Sequence, residues 1–492
     1  MSQSTIIKTI DPKTISKDQK NSNGQSYFLT RMQELGITDE WNHFETPNYK
    51  GHWKNPEYLE GTNKHTIFEE DENQNIKINY FDLFGNHRKW TKPGTKNPRW
   101  FYRLRLKEPK GDQKYHQEPK SGHHPFFTPG IIKKYHDLEE IETLYLTEGE
   151  FKAFKGYMTR LDIVGLPSIH GFYNGDVKGK LHEDLQELII KCKVKKIYFL
   201  TDADTLSVRW ESNKDLSKRP LSFYSSVKYF RESLQLLLDD KKVSLEQIYW
   251  GHIESEYANE EKDAKGLDDL LIKYADQSHD IIADLNEYQF AKRFFHAKNL
   301  TESSSINQVF HYFGLGSAEK FYEVYKSFIG SREFVFKKRR YQYDGEEVKY
   351  VKHEDADKYM RIGPDWMKII EVPDKYGQGQ QQITPWKKSE ITSDYKKWPD
   401  FIDQIPKYDA FCNDPRWDEK YRRVHNDCFN LCDPLPHIPK EGDFPTIKKF
   451  LKHIFSGSGD FDRDITGDLF TVGLDYLCLQ LQKPKQTLPV LI

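Results

Sequence analysis

Hydrophobic and polar positions alternate from about residue 27 to 130, in short segments such as "IKINYFDLFGN" and "RWFYRLRLKEP" that are broken by Gly, Pro and Asn. A period of two puts successive side chains on opposite faces of a strand, so this stretch predicts a β-rich or mixed unit. The pattern changes from about 136 to 290. Apolar runs "TLYLTE", "LDIVGLPS", "KKIYFLTD" and "QIYWGHI" there alternate with helical patterns such as "GEFKAFKGYMTRL" and "LHEDLQELIIKCKV". Strand and helix in alternation predict βαβ units around a mostly parallel sheet, the α/β class. Residues 300 to 492 are mixed, with "SAEKFYEVYKSFI" and "TIKKFLKHIFSG" reading as helices. Residues 1 to 26 are polar and weakly patterned, the composition of a flexible segment.

In parallel sheets, functional groups collect at the carboxyl ends of the strands. "LYLTEGE" ends one strand with Glu148 and turns at Gly149. "IVGLPSIHG" ends the next with small residues and Gly171, which let a backbone approach a ligand closely. "IYFLTDAD" ends a third with Asp202 and Asp204, and "DAKGLDDLL" puts Asp268 and Asp269 at a helix start after Lys265 and Gly266. Acidic clusters at the edge of one sheet crowd like charges, which is costly unless something positive sits between them. Hard divalent cations on oxygen ligands supply that charge, and Mg²⁺ typically uses one or two carboxylates with phosphates and water.

Length and composition narrow the classes. A chain of 492 residues predicts roughly three domains. With 74 basic and 76 acidic residues the net charge is -2, which excludes a uniformly basic nucleic-acid coat but leaves room for a local basic groove. The five cysteines include no CxxC pair. Cys428 and Cys432 have His425 and His437 nearby but no second ligand pair at regular spacing, so no zinc is expected. No apolar stretch is long enough to span a bilayer, and the first residues lack the basic-then-apolar pattern of a signal peptide. The expectation is a cytoplasmic, multidomain protein with no membrane partner.

The succession "TEGE", "TDAD" and "KGLDD", with 54 positions between Glu148 and Asp202, resembles the TOPRIM domain of bacterial-type primases, topoisomerases and some nucleases. The resemblance implies a Rossmann-like sheet, Glu148 as general acid/base or metal ligand, Asp202 and Asp204 as metal ligands, and Asp268 and Asp269 as an extension of the site. Upstream, "YFDLFGNHRKW", "FYRLRLKEP" and "KYHQEPKSGHHPFFTPG" resemble the N-terminal half of the bacterial replicative primase polymerase domain. That implies a groove for template phosphates or nucleotide lined by Arg103, Arg105, Lys114 and Lys120, with Lys152, His170, Gly171 and Lys265 near the nucleotide. Basic residues neutralise phosphate, and interleaved Tyr and Phe offer stacking surfaces. The family's zinc-binding domain has no counterpart here, which puts start-site choice in doubt or moves it to another subunit. "KYMRIGPDWMKII", "ITPWKKSEITSDY", "KYDAFCNDP" and "GLDYLCLQLQKPKQTLPVLI" resemble the region ahead of the ATPase core in phage- and plasmid-type primase-helicases. The strand corresponding to "LPVLI" precedes a Walker A loop in that group. No GxxxxGK[ST] stands in this sequence, so no ATPase is expected of it.

These resemblances imply a flexible N-terminus (1–26), a basic subdomain of the primase core (27–135), a TOPRIM domain (136–295) and a linker with part of a helicase-like region (296–492). The implied activity is DNA primase. Short primers would be made on single-stranded DNA from nucleoside triphosphates by two-metal nucleotidyl transfer with Mg²⁺ or Mn²⁺, alongside a replicative helicase. Two rivals stand beside it. The same carboxylates would serve a metal-dependent TOPRIM nuclease, or the domain would be a scaffold in a non-catalytic adaptor that binds single-stranded DNA and recruits a helicase. The "KYHQEPKSG" stretch weighs against the first and the intact acidic motifs against the second.

Overall fold

The computed structural model describes residues 26–52, 55–111, 113–173, 180–240, 242–287, 293–377, 379–414, 420–433, 441–455 and 469–482. The segment expected to be flexible, apart from residue 26, and the terminal "LPVLI" lie outside the described residues. The chain divides into two compact units, one of Met1–His353 with Tyr395–Asp403, the other of Glu354–Asp394 with Gln404–Ile492.

The first unit begins with α1 (Tyr27–Leu35), capped by Ser26, whose hydroxyl accepts the Leu29 N–H at 3.3 Å. A hairpin of His43–His52 against Asn55–Thr66 follows. Next comes an antiparallel sheet of β1 (Phe68–Glu70), β2 (Ile76–Asn79), β3 (Tyr102–Lys110) and β4 (Gln113–His116), in that spatial order. Arg103 and Arg105, two apart on β3, share one face and sit opposite Ile78 and Ile76 of β2.

The central stretch then runs β5 (Phe126–Phe127), α2 (Pro129–Asp137), β6 (Thr143–Glu148), α3 (Glu150–Met158), β7 (Ile163–Leu166), α4 (Glu183–Lys191), β8 (Lys196–Thr201), α5 (Lys218–Asp239), β9 (Gln247–Ile253), α6 (Leu267–Lys273) and β10 (Phe295–Asn299). Its six-stranded sheet has the order β10-β9-β8-β6-β7-β5. β6 to β9 are mutually parallel and the two edge strands are antiparallel. The α/β class predicted from the alternation is therefore present, with the apolar runs as strands. They read as continuous rather than alternating because both faces are covered: Ile197, Tyr198 and Phe199 are fully buried. Aromatic packing joins the two sheets of this unit. Phe68 of β1 stacks on Phe151 of α3 at 5.1 Å and meets Phe154 edge-on at 5.0 Å.

Helices Ser305–Tyr312 and Ala318–Ile329 and a three-stranded meander, Phe334–Phe336, Arg339–Tyr343 and Val348–Tyr350, complete the first unit. The second unit holds a four-stranded sheet, including Asp365–Pro373 against Gly379–Pro385, a smaller three-stranded sheet, and helices Pro445–Phe455 and Leu469–Gln482. Cys428 lies on one of its short strands and His425 stands 3.1 Å from Asp414, while His437 lies outside the described residues. Among the described residues, no helix is long and apolar enough to cross a membrane.

Phe199, fully buried between Phe172 and Phe230, should be one of the costliest positions to truncate. Phe199→Ala is expected to lose about 3–5 kcal/mol in chemical unfolding. Leu236→Ala, at a position 82% exposed on α5, should change stability by no more than about 0.5 kcal/mol.

Candidate functional site

The chain leaves β6 to place β7 on one side and returns to place β8 on the other. That reversal opens a crevice at the carboxyl ends of β6 and β8. Glu148 is the last residue of β6, and Asp202 and Asp204 follow β8. Gly149 joins β6 to α3 with φ of 103°, a conformation that side-chain-bearing residues rarely adopt. Gly266 precedes α6 for a different reason. A Cβ there would lie 2.5 Å from Asp268 Oδ1 and 2.7 Å from Lys152 Cε, so only glycine lets the lysine stem pass.

A cavity of about 630 Å³ occupies this crevice. One wall carries Glu148, Lys152, Asp202, Asp204, Lys265, Asp268 and Asp269; the other carries Arg103, Arg105, Lys114 and Tyr115 from β3 and β4. Each aspartate of the acidic wall but Asp269 faces a cation. Lys152 Nζ stands 2.5 Å from Asp202 Oδ2, Arg219 Nη2 stands 3.1 Å from Asp204 Oδ1, and Arg31 Nη2 stands 3.2 Å from Asp268 Oδ2. Asp269 accepts the Gly266 N–H at 3.2 Å.

The electrostatics follow from crowding under partial burial. Burial pushes Asp202 up to about 6, with Asp204 and Glu148 adding to the rise and Lys152 opposing it. Burial, joined by Asp204, also holds Glu148 above the usual carboxylate range. Asp269 is raised by burial and by its neighbour Asp268. For Lys152, burial favours the neutral amine, but Asp202, Asp268 and Glu148 outweigh it and hold the ammonium above the ordinary lysine range.

The basic wall is fixed from behind. Glu150, 1% exposed, accepts from Arg103 Nη1 and from the Tyr80 hydroxyl, both at 2.5 Å on Oε1. Among the described residues its Oε2 has no hydrogen-bond partner. Arg105 donates to the hydroxyls of Tyr27 at 3.0 Å and Tyr115 at 2.9 Å. Both guanidinium groups lie over the Tyr115 ring, at 4.8 and 5.4 Å.

Comparisons add a partial likeness. No family model matches the sequence, and no curated protein matches it. The chain is 12% identical to a solved DNA primase domain from Pseudomonas aeruginosa, over 59% of this chain and 64% of that one, at a TM-score of 0.30. It is 10% identical to the solved DnaG catalytic core, over 51% of this chain and 72% of that one, at a TM-score of 0.29. The chain thus spans just under two thirds of the length of the Pseudomonas domain.

Of the residues singled out by sequence, Arg103, Arg105, Lys114, Glu148, Lys152, Asp202, Asp204, Lys265, Asp268 and Asp269 line the one cavity. Lys120, His170 and Gly171 do not. Lys120 is exposed in a turn at φ of 65°. The His170 ring lies 5.9 Å from Tyr173, and a Cβ on Gly171 would meet the Pro167 ring at 2.5 Å, so this glycine serves packing. Sequence reasoning missed Arg31, Glu150, Arg219 and Phe223 in the lining. Glu150, the second acid of "TEGE", was in plain view; Arg31 lies 237 positions from Asp268, a pairing no local pattern announces.

Among the described residues, no three Asp, Glu, His or Cys side chains are gathered at metal-binding distance. The donor chemistry does fit a hard cation: the wall offers carboxylates and neither Cys nor His.

A carboxyl whose folded pKa exceeds its unfolded value adds stability below the unfolded value, near 4, and loses it as pH rises through the folded one, here about 6. Asp202→Asn removes that dependence. Its Tm relative to wild type, measured in chelator, should therefore rise between pH 4 and pH 7; a constant difference would contradict the assignment. At Glu150, Glu150→Ala leaves Arg103 buried without its partner and should cost about 3–5 kcal/mol in chemical unfolding, with Glu150→Gln milder.

Proposed function

We propose that the cavity is the catalytic site of a DNA primase that makes short primers on single-stranded DNA from nucleoside triphosphates. One observation carries the reading: carboxylates at the ends of a parallel sheet and an Arg/Lys/Tyr wall from a separate antiparallel sheet face the same 630 Å³ space. The two walls come from the two stretches whose sequences resemble TOPRIM and the N-terminal half of a primase polymerase domain. In this reading residues 27–135 and 136–295 are those two parts, and 296–492 leads toward a helicase-like region with a replicative helicase as partner. The phage- and plasmid-type placement and the cytoplasmic location are supported by sequence alone.

In the reaction, a 3'-hydroxyl oxygen bonds to the α-phosphorus of the incoming triphosphate, the bond to the bridging oxygen of the β-phosphate breaks, and pyrophosphate leaves. Glu148, with its affinity for protons raised by burial, accepts the hydroxyl proton. Asp202, Asp204 and Asp268 would hold Mg²⁺ or Mn²⁺, which when bound supplies positive charge to the attacking and leaving oxygens. Arg103 and Arg105, fixed by Glu150, Tyr27 and Tyr115, orient phosphates of template or nucleotide without reorganising. Lys265, exposed at the cavity edge, neutralises the triphosphate.

A primer-synthesis assay with labelled nucleoside triphosphates, single-stranded DNA and Mg²⁺ tests this. Wild type should give short labelled products, and Asp202→Ala/Asp204→Ala should lose about 10³-fold or more, the equivalent of several kcal/mol of lost charge stabilisation. Shortening of an end-labelled template without new products would replace the reading with a nuclease. Strand binding with neither activity would favour the adaptor.

A further inference from the structure

A second cavity, of about 810 Å³, opens in the same unit beside the start of α5. Lys214, Lys218, Lys338, Lys396 and Lys397 line it, brought together from three separate segments of the chain. Against these five stand two carboxylates, Glu211 and Asp215, which leaves the lining at a net charge of +3. Glu211 pairs with Lys214 at 3.0 Å. Asp215 is spent on other donors: it accepts the Ser217 hydroxyl at 2.6 Å and the backbone N–H groups of Ser217, Lys337 and Lys338 at 3.0, 3.1 and 2.9 Å. Among the described residues, Lys218, Lys338, Lys396 and Lys397 have no acidic partner within ion-pair distance.

The lining is built rather than incidental. Arg340, 5% exposed, donates to the Ser212 carbonyl at 3.2 Å, to Asn213 Oδ1 at 2.8 Å and to Glu333 at 3.0 Å, and lies over the Trp398 ring at 4.1 Å. One buried guanidinium thus fixes all three segments that carry the lysines. Lys337 and Lys338 form the turn between strands Phe334–Phe336 and Arg339–Tyr343, with φ of 48° and 70°. A two-residue hairpin turn with both φ positive favours Asn-Gly, and other side-chain-bearing residues are strained there. Asp215 holds this strained pair by both amides, and Lys338 of the pair lines the cavity. The first turn of α5 joins the two cavities: Lys218 lines the second, while its neighbour Arg219 lines the first and pairs with Asp204.

We propose that this cavity binds successive backbone phosphates of a single-stranded nucleic acid outside the catalytic crevice. Unpaired lysines spread over such a volume act as separate point charges, which suits a phosphodiester chain better than one tightly cradled phosphate. The choice of a strand as ligand rests on the function proposed above; the anion site itself does not.

The test is fluorescence anisotropy of the full chain with a labelled oligodeoxythymidylate of about 20 nucleotides over a range of salt concentrations. Each phosphate neutralised on a single strand contributes about 0.7 to the slope of log Kd against log salt. Lys338→Gln/Lys396→Gln/Lys397→Gln should therefore lower the slope by about 2 and weaken binding, and the matching Lys→Arg triple should restore both. An unchanged slope in the Gln triple overturns the site, even if wild type makes primers. A lowered slope in a protein that makes no primers keeps the site and removes the primase reading. Glu211→Gln, which deletes an acid from the lining, should tighten binding a few-fold, and unchanged affinity there also counts against the site. Displacement of the oligonucleotide by equimolar tripolyphosphate would overturn the strand in favour of a compact phosphate ligand.

Discussion

Carboxylates cannot be gathered in a half-buried crevice unless positive charge is gathered with them. Here that constraint falls on Lys152. It leaves the first turn of α3, passes over Gly266 and meets Asp202, with Asp268 and Glu148 within electrostatic reach. Arg219 and Arg31 do the same for Asp204 and Asp268. The proton affinity of Glu148 and Asp202 stays elevated chiefly because both are buried, with Asp204 adding to it and Lys152 opposing it.

The neighbouring acids Glu148 and Glu150 show how one turn serves two environments. Glu148 ends its strand in the crevice, where burial raises its affinity for protons. Two residues on, Glu150 is turned into the core, where Arg103 and Tyr80 converge on it. The positive φ of Gly149 makes the reversal between them. Glu150 thereby ties the antiparallel sheet to the parallel one by charge, as Phe68, Phe151 and Phe154 tie them by packing. Orientation of the basic wall relative to the acidic wall depends on both, because β3 makes no backbone pairing with the central sheet.

The same economy operates around α5. Its first turn supplies Arg219 to the crevice at the ends of β6 and β8 and Lys218 to the second cavity, so a single helix start sets the distance between the two. Arg340 plays for the second cavity the part that Glu150 plays for the first: a buried ion that holds together the segments around it.

By itself the sequence determined the strands of the central sheet and the acids at their ends. Runs such as "KKIYFLTD" are apolar because both sheet faces are covered, and the acids that end two of them, Glu148 and Asp202, line the crevice. Local signals of this kind also located Arg103 and Arg105 on one strand face, through period-two alternation. Tertiary structure decided which charges meet. Arg31 and Asp268 are 237 positions apart, Arg103 and Glu150 are 47, and nothing in the spacing of either pair announces contact. It likewise decided that Gly171 and His170 serve local packing instead of the cavity, since a Gly-rich strand end looks the same in sequence whether a ligand or a proline ring lies against it. The physical reason is range: periodicity reports the burial of a residue's own segment, whereas ion pairing is set by where distant segments are brought by the packing of the whole core.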